Sequence, residues 1–270
     1  MKGASGTPRT FDTAFLCGLW LLAGFYAALI VGMLIATAGH TTPGELIEAM
    51  NSPDIRHAIL LSLLTTTLAT FLSLWVAVPA GYLLARTEFR GKAILDTIFD
   101  IPIALPPLVV GLALLILFQT AIGRFFQEHI MEVTYEVPAV VLAQFTVACA
   151  FAIRTMRVAF EQSDPRTEQV ARVLGASRFQ AFTRVTLPDN RRGIIAAATI
   201  AWARALGEFG PILVFAGATR MKTEVLPTTI FLELSIGDLE AAVAVSLLLV
   251  LFACGVLLLS RLLGLRGAVG

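Results

Sequence analysis

Long apolar runs separated by short polar segments dominate the pattern of this chain. Runs on the order of 20 residues, the length of helix needed to cross the hydrocarbon core of a bilayer, occupy six ranges: 14–38, 58–85, 101–122, 137–153, 194–219 and 241–260. The fifth run contains Arg204 and Glu208 among apolar and small residues, which is typical of a span with a polar interior face. The pattern predicts an all-α integral membrane protein with about six transmembrane helices.

The composition agrees with a membrane protein. Of 270 residues, 57% are hydrophobic and 14% are charged, and the mean hydropathy is +0.82, which is outside the range of ordinary soluble domains. A formal net charge of +1 gives no overall basic field of the kind that favours nucleic acid. We therefore expect membrane insertion and no nucleic-acid partner.

Basic residues are distributed unevenly between the two sets of loops. Fifteen Lys and Arg residues lie in the N-terminal tail, the 86–97 loop, the 154–193 loop and the C-terminal tail, against four in the other loops. Lys and Arg near the ends of spans are retained in the cytoplasm. The distribution predicts a multi-pass protein of the bacterial inner (plasma) membrane with both termini in the cytoplasm.

The first apolar run ends in Ala36-Thr37-Ala38, which has the small-residue pattern of a signal-peptidase site. The hydrophobic region of a signal peptide is about 7–15 residues long, and residues 14–38 are longer than that. We expect a retained anchor. Cleavage is the alternative, and it would leave five spans without changing the topology of the later segments.

The 154–193 loop has the pattern of two short helices rather than of a linker. Asp164 is placed to cap the first helix, Pro165 suits its first position, and Gly175 suits a left-handed cap at its end. Ser177 and Gln180 have the spacing of a capping box. The second helix is predicted to carry one apolar stripe of Phe179, Phe182 and Val185 and to stop at Pro188.

The string EQVARVLGASRFQAFTRVTLP in this loop resembles the cytoplasmic EAA loop of bacterial ABC importer permeases. Ala171, Gly175, Val185, Leu187 and Pro188 occupy matching positions. The acidic position of the motif holds Gln169 here, with Glu168 one residue earlier, Val170 replaces the middle alanine, and Val185 replaces an isoleucine.

This resemblance implies a type I ABC importer permease arrangement, in which the loop is a coupling helix seated in a groove of a separate ATPase subunit. The residues that it assigns to this contact are Glu168, Ala171, Leu174, Gly175, Ala176, Phe179, Phe182 and Pro188. The implied partners are ABC ATPase subunits, an extracytoplasmic substrate-binding protein and a second permease copy, most simply as a homodimer, although a pair of different permeases stays open. The chain then divides into an N-terminal part (1–57), a core permease domain (58–260) and a C-terminal tail (261–270).

Two further segments resemble the permeases of oxyanion importers for molybdate, tungstate and sulfate. They are DIPIALPPLVVG, with Pro102, Pro106, Pro107 and Gly111, and RALGEFGPILVFAGATR, from Arg204 to Arg220. The later KTEVLPTTIFLELSIGDLEAA is more similar to molybdate and tungstate permeases than to sulfate permeases. The resemblance implies an importer of molybdate or tungstate, with sulfate or thiosulfate as the alternative.

Several polar or helix-breaking residues within the predicted spans are candidates for the translocation pathway or its gate. They are Arg204, Glu208, Pro106, Pro107 and Thr66. The i, i+4 spacing of Arg204 and Glu208 fits an internal ion pair, because either charge alone is costly in lipid. The double proline predicts a kinked or unwound helix, which is tolerated where it is buried or lines a cavity. Both a structural and a pathway role stay open.

Other functional classes are less well supported by the residues. The chain has no Gly-x-x-x-x-Gly-Lys-Ser/Thr loop, so ATP hydrolysis requires another chain, and we expect no cofactor in this one. Its three histidines lack HExxH spacing and its three cysteines lack CxxC spacing, so no metal site or catalytic group is predicted. A secondary transporter or channel is the alternative from another class.

Overall fold

The computed structural model describes the backbone of residues 9–266 and the side chains of residue 13 and residues 15–262. Every regular element within these residues is helical, which confirms the all-α membrane class. Residues 1–8 and 267–270, which belong to the predicted cytoplasmic tails, lie outside the described residues. The helices are α1 (Arg9–Ala38), α2 (Pro43–Asn51), α3 (Pro53–Arg86), α4 (Lys92–Ala104), α5 (Pro107–Gln119), α6 (Ala121–His129), α7 (Val137–Gln162), α8 (Pro165–Val173), α9 (Arg178–Ala181), α10 (Leu187–Asp189), α11 (Arg191–Leu206), α12 (Gly210–Phe215), α13 (Leu226–Ile236) and α14 (Leu239–Arg266), with a π-helical segment (Phe182–Thr186) between α9 and α10.

Four of the described helices, α1, α3, α7 and α14, are long and apolar enough to cross a membrane by themselves. A fifth crossing exists if α4 and α5 count as one span, but these two helices are bent by 112° where they meet. The kink or unwinding predicted at the double proline is therefore present, and the run over 101–122 is divided between two helices. Pro106 and Pro107 have no N–H to donate, so the helix ends before them, and α5 begins at Pro107, where a proline is tolerated.

The predicted span at 194–219 is also interrupted. The helix α11 ends at Leu206, and α12 begins at Gly210, so Gly207, Glu208 and Phe209 lie between the two helices. Pro211 follows at the second position of α12, where its missing N–H breaks no helical hydrogen bond. Apolar and small residues flank Arg204 and Glu208 on both sides, which is why the pattern predicts one span there.

The helix α7 extends nine residues past its predicted end at residue 153 and reaches Gln162. Arg154 and Arg157 therefore lie on a helix and not in the 154–193 loop. Arg154 Nη1 is 2.8 Å from Asp100 Oδ2, and Arg157 pairs with Asp96, so two ion pairs join this extension to α4. Charges end an apolar run, but they do not end a helix that has partners for them.

The core lies where α3, α7 and α11 pack together through small residues. Ala69, Ala77, Ala152 and Ala201 are fully buried in one hydrophobic cluster. A Cβ atom added to Gly81 of α3 would be 2.8 Å from Cβ of Met156 in α7. Small side chains let helix backbones approach closely, which is the main source of helix association in membranes.

The predicted domain boundaries fall inside helices. The boundary at residue 58 lies within α3, which begins at Pro53, and the boundary at residue 261 lies within α14. The short helix α2 packs against the core through Ala49, which joins a buried cluster with Leu226 and Val245. By contrast, most described residues of α1 are exposed, a few are half-buried, and its apolar window has no buried residues.

Candidate pathway and coupling sites

Two helix breaks face each other in the structure: Leu105–Pro106, between α4 and α5, and Gly207–Phe209, between α11 and α12. We call them the break pair. A Cβ atom added to Gly111 would be 2.8 Å from both Cα and O of Pro211, and one added to Gly210 would be 3.1 Å from Cβ of Pro107. The two broken spans therefore touch backbone to backbone. Transporters commonly place such discontinuous helices at their substrate pathways.

The predicted pair of Arg204 and Glu208 lies at this break. Arg204 Nη2 is 2.8 Å from Glu208 Oε1, although Oε1 accepts no hydrogen bond in this geometry. The Glu208 side chain is 1% exposed, whereas that of Arg204 is partly exposed. The Arg204 guanidinium carbon also lies 5.6 Å from the centroid of the Phe151 ring in α7. The predicted contact is present, and its role in a pathway or gate stays a prediction.

The other pathway candidates have different environments. Pro106 and Pro107 are exposed at the start of α5. Thr66 is fully buried, and its hydroxyl accepts a hydrogen bond from Gln144 Nε2 of α7 at 3.2 Å. Its geometry is that of a contact between α3 and α7. A pathway role for these three residues stays a prediction.

Residues 163–190, which we call the arginine-rich hairpin, contain the two predicted short helices. Asp164 Oδ1 accepts from the Arg166 N–H at 2.9 Å and caps α8, which begins at Pro165. The Ser177 hydroxyl accepts from the Gln180 N–H, and the Gln180 side chain accepts from the Ser177 N–H, so the predicted capping box is present.

The end of α8 is fixed by a left-handed cap. Gly175 has a backbone φ angle of +96°, which residues other than glycine rarely adopt. The Ala176 N–H donates to Ala171 O at 3.0 Å, and the Gly175 N–H donates to Arg172 O at 3.1 Å. These residues thus determine the turn between α8 and α9, because they satisfy carbonyl groups at the helix end.

The hairpin presents an apolar edge to its surroundings. Val173 is 87% exposed, Leu174 is 82% exposed and Phe179 is 74% exposed. Three neighbouring large apolar side chains on a polar element are typical of a surface that binds a partner. The contact of this edge with an ATPase stays a prediction.

The predicted apolar stripe of Phe179, Phe182 and Val185 runs into a π-helical segment. This segment extends from Phe182 to Thr186, with the Leu187 N–H donating to Phe182 O, so the number of residues per turn changes within the stripe. Phe182 packs on the bundle, where its ring centroid is 4.7 Å from that of Tyr82. Phe179 is 74% exposed and borders the same groove as Phe182.

The helix that is predicted to stop at Pro188 ends one residue later, at Asp189. Helical backbone continues through Pro188, and α10 ends at Asp189 before α11 begins at Arg191. Pro188 is the second residue of α10. The preceding π-helical turn changes which carbonyl groups face this position, so the proline is accommodated.

The contact with an ATPase that the resemblance implies for Glu168 stays a prediction, and in this structure Glu168 accepts hydrogen bonds from α3 and from the π-helical segment of its own chain. Its Oε1 accepts from the Tyr82 hydroxyl at 2.6 Å, and its Oε2 accepts from the Thr186 hydroxyl at 3.0 Å. Sequence spacing does not select Tyr82 or Thr186, because they lie 86 and 18 positions from Glu168 along the chain. A lone tyrosine near the end of an apolar run is the one signal that could have drawn attention to it.

The chain matches known proteins over most of its length. Residues 77–266 match the model of the family described as "Binding-protein-dependent transport system inner membrane component". The chain is 31% identical to a sulfate transport system permease protein CysW of Synechocystis over 265 residues, which cover 96% of this chain and 95% of that protein. It is 36% identical to a probable molybdenum ABC transporter permease protein of Haloferax volcanii over 253 residues, which cover 93% of this chain and 89% of that protein.

The solved structures include chains of the same fold. A bacterial ABC transporter involved in the import of the acidic polysaccharide alginate matches with a TM-score of 0.75 and 18% identity, covering 96% of this chain and 98% of that chain. At this identity the likeness concerns the fold alone. With the family match and the two relatives, it shows that the chain belongs to the family of binding-protein-dependent transport inner-membrane components and is an ABC importer permease.

Proposed function

We propose that this permease moves a tetrahedral oxyanion, molybdate or tungstate, into the cytoplasm, and that a separate ATPase subunit drives it through the arginine-rich hairpin. The observation that carries this proposal is the capped hairpin with its exposed apolar edge. A short helix with fixed ends is a rigid lever, and Leu174 and Phe179 give it a surface that a partner can bind. Rigid-body motion of the hairpin then reaches α11 through α10.

The break pair is proposed as the moving part of the pathway. Its backbones are in contact, and its prolines and glycines allow the helices on either side to change angle without losing internal hydrogen bonds. One chain supplies one half of a pathway, and the exposed residues of α5 are available to face a second half. We therefore propose a homodimer with the break pairs of the two copies lining the route.

The charges at the break suit an anion that must pass rather than stay. Arg204 offers guanidinium donors from a partly exposed position, while the buried Glu208 beside it offsets the positive charge. Conduction requires binding that is weak enough to release the ion. Selectivity is proposed to come from an extracytoplasmic binding protein, and the excess of basic residues supports a cytoplasmic location for both termini.

Sulfate or thiosulfate is the second candidate substrate. The sulfate permease relative matches nearly the whole chain, while the probable molybdenum permease is more identical over a slightly shorter stretch. Molybdate, tungstate and sulfate share tetrahedral geometry and charge, so the membrane path alone gives little discrimination among them. The molybdate or tungstate assignment rests on the KTEVLPTTIFLELSIGDLEAA segment.

The test is an uptake measurement in a host that lacks its own molybdate and tungstate importers. The chain is expressed with its genomic neighbours, and cellular molybdenum and tungsten are measured by mass spectrometry with and without excess sulfate. Accumulation that resists sulfate is expected. Accumulation that sulfate abolishes would move the assignment to sulfate, and no accumulation of either molybdenum or tungsten would contradict the proposed transport of molybdate or tungstate.

A further inference from the structure

The arginine-rich hairpin is joined to the bundle at a single place by its two chain ends. The hairpin begins at Ser163 and ends at Asn190, and Asn190 Nδ2 donates to Ser163 Oγ at 3.2 Å. Arg86, at the end of α3, donates to the Ser163 carbonyl oxygen at 2.9 Å and to its hydroxyl at 2.7 Å. Two chain connections that lie this close form one pivot, about which the hairpin could still rotate.

A second attachment lies away from the pivot, at Glu168. The carboxylate of this α8 residue receives the hydroxyl of Tyr82 at 2.6 Å on one oxygen and the hydroxyl of Thr186 at 3.0 Å on the other. Hydrogen bonds to a charged acceptor are roughly twice as strong as those between neutral groups. Glu168 therefore connects α8, α3 and the π-helical segment at one point.

Aromatic packing fixes the direction of the Tyr82 hydroxyl. The centroid of the Tyr82 ring lies 4.7 Å from the ring centroid of Phe182. It lies 5.6 Å from the ring centroid of Phe160 in α7, in an edge-to-face arrangement. Phe160 is fully buried and Thr186 is 4% exposed. The π-helical turn brings Phe182 and Thr186 to the bundle side together, so its irregular geometry serves this contact.

We propose that Tyr82 and Thr186 are positioning residues that act through Glu168 to lock the arginine-rich hairpin against α3. The inference rests on the proposed coupling function and adds the contact that makes the hairpin a rigid extension of the bundle. With the lock in place, motion imposed on the hairpin moves α3, α7 and α11 together. Without it, the hairpin rotates about the Ser163–Asn190 pivot, and ATP is hydrolysed without a matching movement of the anion.

The test uses the complete transporter in proteoliposomes, with its ATPase and binding protein, and measures anions moved per ATP hydrolysed. The Tyr82→Phe, Thr186→Val variant keeps the aromatic ring at position 82 and the side-chain shape at position 186, and it removes both hydroxyl donors to Glu168. We expect this ratio to fall about three- to tenfold, as loss of hydrogen bonds to a charged group implies. Thr183→Val is the matched control, because that hydroxyl donates to Phe179 O within its own helix.

A second measurement separates positioning from a general loss of folding. If Tyr82 and Thr186 act through Glu168, adding their substitutions to Glu168→Ala lowers the ratio no further. A further, additive fall would overturn the lock, and so would an unchanged ratio in the Tyr82→Phe, Thr186→Val variant when the unaltered protein transports normally. If the unaltered protein shows no ATP-driven uptake, the proposed function fails, and the lock fails with it.

Discussion

The arginine-rich hairpin and the break pair are both irregular, but their geometry comes from different sources. The hairpin is shaped by neighbours in sequence: Asp164 caps its first helix, and Gly175 turns the chain between its two helices. The break pair is shaped by segments about one hundred positions apart, where Gly111 meets Pro211. A locally determined element can act as a lever that keeps its shape, whereas one held by packing between helices can rearrange when those helices move.

The largest effect is expected at the break pair, from Gly111→Val. An added Cβ would lie 2.8 Å from the backbone of Pro211, which cannot yield as a flexible side chain would. Overpacking of this kind lowers the free energy of unfolding by about 1–3 kcal/mol. Because the added side chain forces the two breaks apart, we expect uptake to fall by more than about tenfold.

The matched control for this substitution is Gly24→Val in α1, where an added Cβ meets nothing within 4 Å. Uptake and thermal stability in detergent are measured for both variants. Equal behaviour of the two variants would show that the close contact at the break pair does not matter.

The next largest effect is expected from Gly175→Pro in the hairpin. Proline requires a negative φ, whereas this position has +96°, and it removes the N–H that donates to Arg172 O. The turn between α8 and α9 is lost, and we expect anions moved per ATP to fall by about tenfold or more while membrane insertion is unchanged.

Membrane insertion and this transport ratio are measured in the same preparations. Gly237, at the end of α13, is also left-handed, with a φ of +87°, and an added Cβ there meets nothing within 4 Å. Gly237→Pro therefore imposes the same backbone conflict outside the hairpin. A transport ratio lowered as much by Gly237→Pro as by Gly175→Pro would argue against a specific role for the hairpin turn.

An intermediate effect is expected from the charged pair at the break. Arg204→Ala leaves the buried Glu208 carboxylate without its counter-charge, so it is expected to lower uptake more than the Arg204→Ala, Glu208→Ala double variant. Loss of one partner of a fully buried pair is strongly destabilising, but Arg204 is 34% exposed, so water offsets part of this cost, and removal of both partners costs less. Uptake rates of the two variants at equal expression check this order, and a reversed order would argue against the pair.

The smallest effect is expected from Thr66→Val. The substitution keeps the shape of the side chain and removes the acceptor for Gln144 Nε2, which costs about 1 kcal/mol of stability. Thr199→Val is the control, because its hydroxyl donates to Ile195 O within α11. A change in the apparent affinity for the anion in Thr66→Val alone would support the predicted pathway role rather than a contact between helices.

The sequence predicts those parts of the fold that depend on neighbouring residues. The ranges of α1, α3 and α14, the cap at Asp164 and the left-handed Gly175 follow from periodicity and capping chemistry. The ion pair of Arg204 and Glu208 follows from their spacing of four residues. In each case the interaction and its signal lie within one or two helical turns.

The errors arise where distant contacts decide the structure. The end of α7 at Gln162 depends on Asp96 and Asp100 of α4, which pair with arginines that interrupt the apolar run. The break at Gly207–Phe209 is flanked on both sides by apolar and small residues, so the length of the run does not locate it. The inward turn of Phe182 depends on a π-helical segment that periodicity does not reveal.

The most direct test of the account asks whether the exposed edge of the arginine-rich hairpin binds the ATPase that drives transport. Leu174→Asp with Phe179→Asp places two charges on side chains that are 82% and 74% exposed, so folding in the membrane is unaffected. Phe89→Asp, an exposed apolar residue in the 87–91 segment, is the control. ATPase retention on the purified permease and ATP-driven oxyanion uptake are measured together. The account predicts that both are lost only in the hairpin variant; retention and uptake equal to those of the control would contradict it.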